Sequence, residues 1–273
     1  MSERTRADEL KAPDLKAPGI LRLAMEMRAP WEFGAALASL PILMSAPLGD
    51  GHPVLVFPGL AASDMSTGLL RRYLKDRGYG AHRWMQGRNL GPRPGVIAAC
   101  RERVLSLQKR YGKKVSLIGW SLGGIYARET AKIVPEAVRS VITLGTPFTG
   151  SPKATNAWRV YEMASGERVE DRGRDWPDLG KAPPVPTTSI YSRTDGIVAW
   201  QCSVQAPSAT TTTENIEVSS ASHVGLGVNP AVLYAIADRL AQPEGSWQPF
   251  DRSGLRGMVY NDPKAADWFS ACA

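Results

Sequence analysis

From His52 onward, short apolar runs alternate with stretches whose apolar residues recur every three or four positions. That alternation is the pattern of parallel strands joined by crossover helices. Val54 to Phe57 is a β-branched apolar run ending in Pro58-Gly59. A helical pattern follows over Thr67 to Arg77, with Leu69, Leu70, Tyr73 and Leu74 on one face and Gly78 as its stop. A second short run, Tyr79 to Trp84, leads through a loop rich in Gly, Pro and Arg into a helix carrying Ile97, Cys100, Val104, Leu107 and Tyr111. Val115 to Trp120 is the clearest strand; a helix over Ile125 to Val134, closed by Pro135, and a strand over Val138 to Leu144 come next. Periodicity then fails until Thr187 to Ser192, and strand character returns once more at Ile216 to Ser219. The last helix opens with Asn229 as N-cap and Pro230 at its first position, and carries Val232, Leu233, Ile236 and Leu240.

Ahead of this domain, residues 52–273, lies a different pattern. Ile20, Leu21, Leu23, Met25 and Met27 precede an apolar run from Gly34 to Leu48 that is broken by Pro41 and Pro47. The run is shorter than the roughly twenty apolar residues that span a bilayer. It predicts a helical arm, residues 1–51, packed on the core; peripheral contact with a membrane is the other use of the same side chains. The first thirty residues are polar and charged where a secretory signal would be apolar, so cytoplasmic residence is the expectation.

The 273 residues, 43% hydrophobic and 22% charged, are enough to bury one substantial core. The net charge of +7 and the pI near 9.4 favour anionic partners. Arg71-Arg72, Lys109-Arg110 and Lys113-Lys114, however, are short groups where helices face water. A solvated surface is therefore the plainer reading; a nucleic-acid partner is not expected, and contact with an anionic membrane stays open. Cys100, Cys202 and Cys272 lack metal-ligand spacing, and their odd number argues against a disulfide framework.

The chemistry concentrates where the third strand ends. Gly119-Trp120-Ser121-Leu122-Gly123 places Gly-x-Ser-x-Gly between a strand and a helix, the context in which a sharp turn thrusts a serine hydroxyl above the sheet edge. The flanking glycines let strand and helix approach closely, and the Leu122 N–H falls where it can donate to a developing oxyanion. A bare tight turn would also use small residues, but it has no need of a central serine. That serine requires a base located downstream. Of the three histidines, His52 precedes the first strand at the wrong end and His82 lies inside a strand pattern. His223 follows the last strand in Ser219-Ser220-Ala221-Ser222-His223, and is the base by position and by elimination. The carboxylate that orients it is Asp195 in Tyr191-Ser192-Arg193-Thr194-Asp195-Gly196, although an aspartate there also serves as a turn former. Asp171, Asp175 and Asp178 fall in the irregular stretch. A second oxyanion donor is expected from Pro58-Gly59-Leu60, at the Leu60 N–H.

With these residues in place the chain resembles the α/β-hydrolase superfamily, and within it bacterial esterases and lipases. The match rests on Gly119 to Gly123, on Leu144-Gly145-Thr146-Pro147 and on Ser192 to Gly196, and covers about residues 52–242. The resemblance implies an α/β fold with a mainly parallel sheet of about six strands, helices on both faces, and an acyl-enzyme mechanism without metal or organic cofactor. It implies a small cap at residues 148–182, in which Trp158, Tyr161 and Trp176 form an acyl-binding wall or merely anchor the cap. Trp120 packs under the turn or touches substrate. The implied activity is cleavage of a small-molecule or lipid ester; acyl transfer or thioester cleavage would use the same triad, and a non-catalytic binding module the same fold. Pro58-Gly59 departs from the His-Gly common at the oxyanion loop, which loosens the assignment of Leu60.

Overall fold

A computed structural model describes residues 15–262 apart from 152, 167, 169–177, 209 and 210. Seven strands form one sheet in the order β2-β1-β3-β4-β5-β6-β7. They are β1 (Pro53–Phe57), β2 (Gly80–Arg83), β3 (Val115–Trp120), β4 (Val138–Leu144), β5 (Thr187–Tyr191), β6 (Thr213–Val218) and β7 (Tyr260–Asn261). All neighbours are parallel except β6 and β7, which pair antiparallel through Glu217–Asn261 and Val218–Tyr260. The expected sheet of about six parallel strands is present, and the two-residue β7 adds an edge that carries no periodic signal of its own.

The helices are α1 (Ile20–Ala24), α2 (Ala29–Ala38), α3 (Leu40–Met44), α4 (Gly68–Asp76), α5 (Val96–Tyr111), α6 (Leu122–Ile133), α7 (Trp158–Ser165) and α8 (Pro230–Leu240). They cover both faces because alternate residues of each central strand point to opposite sides. Val54, Val56, Ile118 and Ile142 pack with Leu70 and Leu74 of α4 and Leu233 and Ile236 of α8. Leu55, Phe57, Leu117 and Val141 pack with Val104 and Leu107 of α5 and Ile125 and Ala131 of α6. Each such side chain, fully buried, contributes about 1.5–3 kcal/mol of transfer free energy. Cys100 sits in the second cluster, and burial pushes its thiol up to about 12. Asn229 caps α8 as its position predicts, its side chain accepting from the Ala231 N–H at 3.0 Å.

Helices α1 to α3, with a 3₁₀ turn at Met25–Arg28 between α1 and α2, form the arm. Ala36, Leu43 and Ala46 join the α4–α8 cluster. Arg77, after α4, fastens the far end by donating to Met44 O at 2.6 Å and Ala46 O at 3.2 Å. The outer face is apolar and solvent-facing: Ile20, Leu21, Met27 (84% exposed), Trp31 (81%) and Ile42 are all uncovered. Among the described residues no helix is long and apolar enough to cross a membrane.

Candidate active site

At the carboxyl end of β3 the chain turns directly into α6, and Ser121 makes the turn at φ 53°, ψ −124°. This is a left-side conformation that a residue with a β-carbon adopts only under strain, and it persists because the surroundings over-determine it. The Ser121 N–H donates to Leu144 O at 2.8 Å, tying the turn to the end of β4. A β-carbon on Gly123 would lie 2.5 Å from Phe57 O and 2.6 Å from Pro58 O, and one on Gly119 would collide with the backbone of Gly124. Gly59 lies over the serine, where an added β-carbon would be 3.4 Å from Ser121 Cβ. The glycines at 59, 119 and 123 thus let three backbone segments converge on one hydroxyl. α6 begins at Leu122, three residues before its apolar period becomes visible, because the elbow and not propensity fixes its start.

His223, in the loop after β6, and Asp195, in the loop after β5, meet each other. His223 Nδ1 lies 2.6 Å from Asp195 Oδ2, and both side chains are buried. The other carboxylate oxygen, Oδ1, accepts from the N–H groups of Ile197 and Val198 at 2.8 Å each. Burial disfavours the His223 imidazolium, but the Asp195 carboxylate and, behind it, the Glu26 carboxylate outweigh that cost and hold the imidazole pKa above its ordinary value. Gly145, at φ 54°, closes the gap between elbow and pair, since a β-carbon there would sit 3.1 Å from both Asp195 Oδ2 and His223 Nδ1. Leu144-Gly145-Thr146-Pro147 thereby acquires a mechanical reason: Leu144 holds the serine and Gly145 admits the acid–histidine pair.

Trp120 serves the histidine loop. Its indole N–H donates to His223 O at 3.0 Å, and its ring packs where a β-carbon on Gly227 would come within 3.0 Å. Among the described residues Ser121 Oγ has no hydrogen-bond partner. Among those residues, too, the Leu122 and Leu60 N–H groups have no acceptor. The Leu60 loop is itself held: Ala61 N–H donates to Asn89 O at 2.7 Å, and the Asn89 side chain donates to Pro58 O at 2.8 Å. Trp158, half-buried, and Tyr161, buried, belong to the apolar cluster that also takes in Leu122, Leu60 and Leu179. Trp176 lies outside the described residues, as do Asp171 and Asp175.

A hydrogen-bonded Asp–His–Ser chain occupies the opposite end of the sheet. His52 Nδ1 lies 2.6 Å from Asp50 Oδ1, and His52 Nε2 lies 2.9 Å from Ser116 Oγ. Ser116 is fully buried within β3, five residues and roughly 16 Å of strand from Ser121. It occupies regular strand backbone with no sharp turn and faces no solvent, so the chain ties the strand ends together and offers no nucleophile. Burial and Arg139 push the His52 pKa down. His82 bonds Tyr111 OH at 2.8 Å, and burial with Arg103, Arg110 and Lys75 lowers it to about 4. Neither histidine reaches the β3–α6 elbow. Among the described residues no three His, Cys, Asp or Glu side chains converge as metal ligands would.

The arm supplies polar contacts that the sequence pattern did not suggest. Glu26 accepts from the backbone of the Asp195 and His223 loops, Glu32 from the His223 loop, and Arg28 donates to Thr194 O at 3.0 Å. Arg128 on α6, fully buried, donates to Lys181 O at 3.0 Å and to Gln205 Oε1 at 2.8 Å, fixing the returning end of the segment between β4 and β5.

Comparison with solved structures agrees with this architecture. Aspergillus fumigatus lipase B superposes with a TM-score of 0.56 at 18% identity, over 84% of this chain and 58% of that one. The chain has the α/β-hydrolase fold. Paleococcus ferrophilus monoacylglycerol lipase gives a TM-score of 0.49 at 15% identity over 70% of this chain and 96% of that one. An alpha/beta superfamily hydrolase from Oenococcus oeni gives 0.49 at 14% over 69% and 91%. The PGAP1-like alpha/beta domain family matches residues 79–167, from just before β2 to just after α7. No curated protein matches by sequence. The α/β-hydrolase fold expected from the motifs is therefore present, on a chain that spans 58% of the length of the Aspergillus lipase.

Proposed function

We propose that the chain is a serine hydrolase that cleaves a carboxylic ester through an acyl-enzyme on Ser121. The observation that carries this reading is the buried Asp195–His223 pair at 2.6 Å, on a chain whose β3–α6 turn holds a serine at positive φ. Ser121 Oγ attacks the ester carbonyl while His223 Nε2 takes its proton, and the negative charge that develops on the carbonyl oxygen is held by the N–H groups of Leu122 and Leu60. His223 returns the proton to the leaving alcohol, then draws one from the water that hydrolyses the acyl-enzyme. Asp195 stays ionised throughout and fixes the tautomer. Leu60, Trp158, Tyr161 and Leu179 share one apolar cluster with Leu122, the residue after the nucleophile, and this setting favours an apolar acyl group.

A fluorophosphonate probe tests this reading directly, because it phosphonylates only an activated serine. Labelling on the peptide containing Ser121, with hydrolysis rates that rise along p-nitrophenyl esters from acetate to octanoate, is the expected result. Folded protein that takes no label at Ser121 would remove the proposal.

The arm's outer face favours a second, compatible reading: the enzyme works at an anionic lipid surface. Glu26 and Glu32, the acidic residues among those described in α1 to α3, turn inward, so the exposed charges of the described arm up to α3 are Lys16 and Arg22. Apolar side chains with flanking cations suit a negatively charged interface, where each cation contributes about 1 kcal/mol. Co-sedimentation with phosphatidylserine vesicles, weakened by salt and by Trp31→Ser, is the expected outcome. Equal recovery in the supernatant with and without vesicles, or a dimer by light scattering that Trp31→Ser dissolves, would assign the face elsewhere.

A further inference from the structure

We infer that Glu26 is a positioning residue of the candidate active site, and that through it the N-terminal arm forms part of the catalytic apparatus. The inference rests on the triad reading above and extends it to a carboxylate outside the triad. Glu26 Oε1 accepts from Gly196 N–H at 2.7 Å and His223 N–H at 2.9 Å, and Oε2 accepts from Val224 N–H at 2.9 Å. Gly196 directly follows the acid Asp195, so one carboxylate holds the backbone of both loops whose side chains must meet. Glu32 continues the pattern by accepting from Ser222 N–H at 2.7 Å. Three successive N–H groups, at Ser222, His223 and Val224, therefore find their acceptors on the arm, although they lie some 190 residues later in the chain.

A buried N–H group left unpaired is costly, and charge-assisted bonds to a carboxylate are the strong kind. The histidine loop without the arm would thus lose the bonds that fix its backbone in place. The two loops are also shaped to receive the arm. A β-carbon on Gly196 would stand 2.6 Å from the Arg22 carbonyl carbon and 3.0 Å from Glu26 Oε1, and one on Gly225 would stand 2.5 Å from Glu32 Cδ. Arg28 completes the clamp, donating to Thr194 Oγ1 at 2.7 Å and to Glu32 Oε1 at 3.1 Å. Thr194 in turn donates to Ala221 O at 3.0 Å, so acid loop, histidine loop and arm form one network.

Charge adds to position. The charged groups that face His223 are Asp195 on its own side of the sheet edge and Glu26 on the arm, with the Glu32–Arg28 pair behind Glu26; the elbow residues Trp120, Ser121 and Leu122 carry none. Glu26 therefore stabilises the imidazolium as Asp195 does, from the backbone side. Removing its charge lowers the His223 pKa, which keeps the base neutral to lower pH.

Glu26→Gln keeps the shape and removes the charge; Glu26→Asp keeps the charge and shortens the reach. The pH profile of kcat/KM on a p-nitrophenyl ester, kcat and KM separately, and the imidazole titration of His223 by NMR are measured for both and for wild type. For Glu26→Gln we expect kcat to fall by about 10²-fold, the loss that a misplacement of about 1 Å produces, with KM nearly unchanged. Its acid limb and its His223 titration should both move to lower pH, and Glu26→Asp should restore the wild-type titration. Wild-type kcat together with an unmoved titration in Glu26→Gln would overturn the inference. Should Glu26→Gln fail to fold, Glu26→Asp decides by kcat alone, because wild-type kcat with the shortened reach also overturns it. If the wild type hydrolyses no ester, the esterase reading falls by itself. The titration then judges Glu26 separately: a downward shift in Glu26→Gln supports it and an unchanged pKa rejects it.

Discussion

Replacing Ser121 by alanine should reduce kcat for ester hydrolysis by on the order of 10⁶-fold, the loss seen when a triad serine is removed, without unfolding the protein. Replacing it by glycine should be equally inactivating and should also stabilise the fold. The argument is geometric. Ser121 sits at φ 53° and ψ −124°, where a β-carbon is strained, and such residues cost about 1–3 kcal/mol. Alanine keeps the β-carbon and therefore the strain; glycine releases it, less about 0.5–1 kcal/mol for the extra freedom glycine gives the unfolded chain. The net gain of about 1 kcal/mol corresponds to a rise in Tm of about 2–4 °C. Steady-state kinetics on a p-nitrophenyl ester and thermal melts of the three proteins provide the check. Turnover surviving in Ser121→Ala would remove the nucleophile assignment, and a glycine variant melting no higher than the alanine variant would show that the turn stores no strain.

That strain also explains why the elbow was readable from sequence. The requirement for glycine at 119 and 123 is local: strand, turn and helix must pass within contact distance over a few residues, so the constraint is written in adjacent letters. His223 stands out by elimination among three histidines, and the ends of β3 and β4 follow from their apolar runs. The roles of Glu26, Arg28 and Glu32 are not legible, because the bonds that tie each of them to the acid and histidine loops include backbone N–H or carbonyl groups, which leave no trace in side-chain identity. In an arm dominated by apolar residues nothing in the pattern sets those three apart from solvated charges. β7 was missed for a different reason: a two-residue antiparallel pair is too short to show a period of two. The early start of β6 at Thr213 was hidden by its polar residues, among them Glu214, which pairs with Arg239 at 3.0 Å and so tolerates a site next to the core.

Asp195→Asn should lower kcat by about 10⁴-fold while leaving the loop in place, and the reason lies in the division of labour between the two carboxylate oxygens. Oδ1 accepts from the Ile197 and Val198 N–H groups, the work of a turn former, and Oδ2 faces His223 Nδ1. Asparagine does the first task equally well, since its carbonyl oxygen accepts both N–H groups and asparagine suits such turns as readily as aspartate. Those two donors then fix the amide orientation, because an NH₂ group cannot accept from them. The NH₂ is left facing His223 Nδ1, where it donates and forces the ring to carry its proton on Nε2. A base already protonated on Nε2 cannot take the proton of Ser121, and the negative charge that supported the imidazolium is gone as well. An aspartate that only formed the turn would give an asparagine variant with near wild-type kcat. Steady-state rates for Asp195→Asn, beside a thermal melt showing the fold retained, therefore separate the two roles that this one position combines.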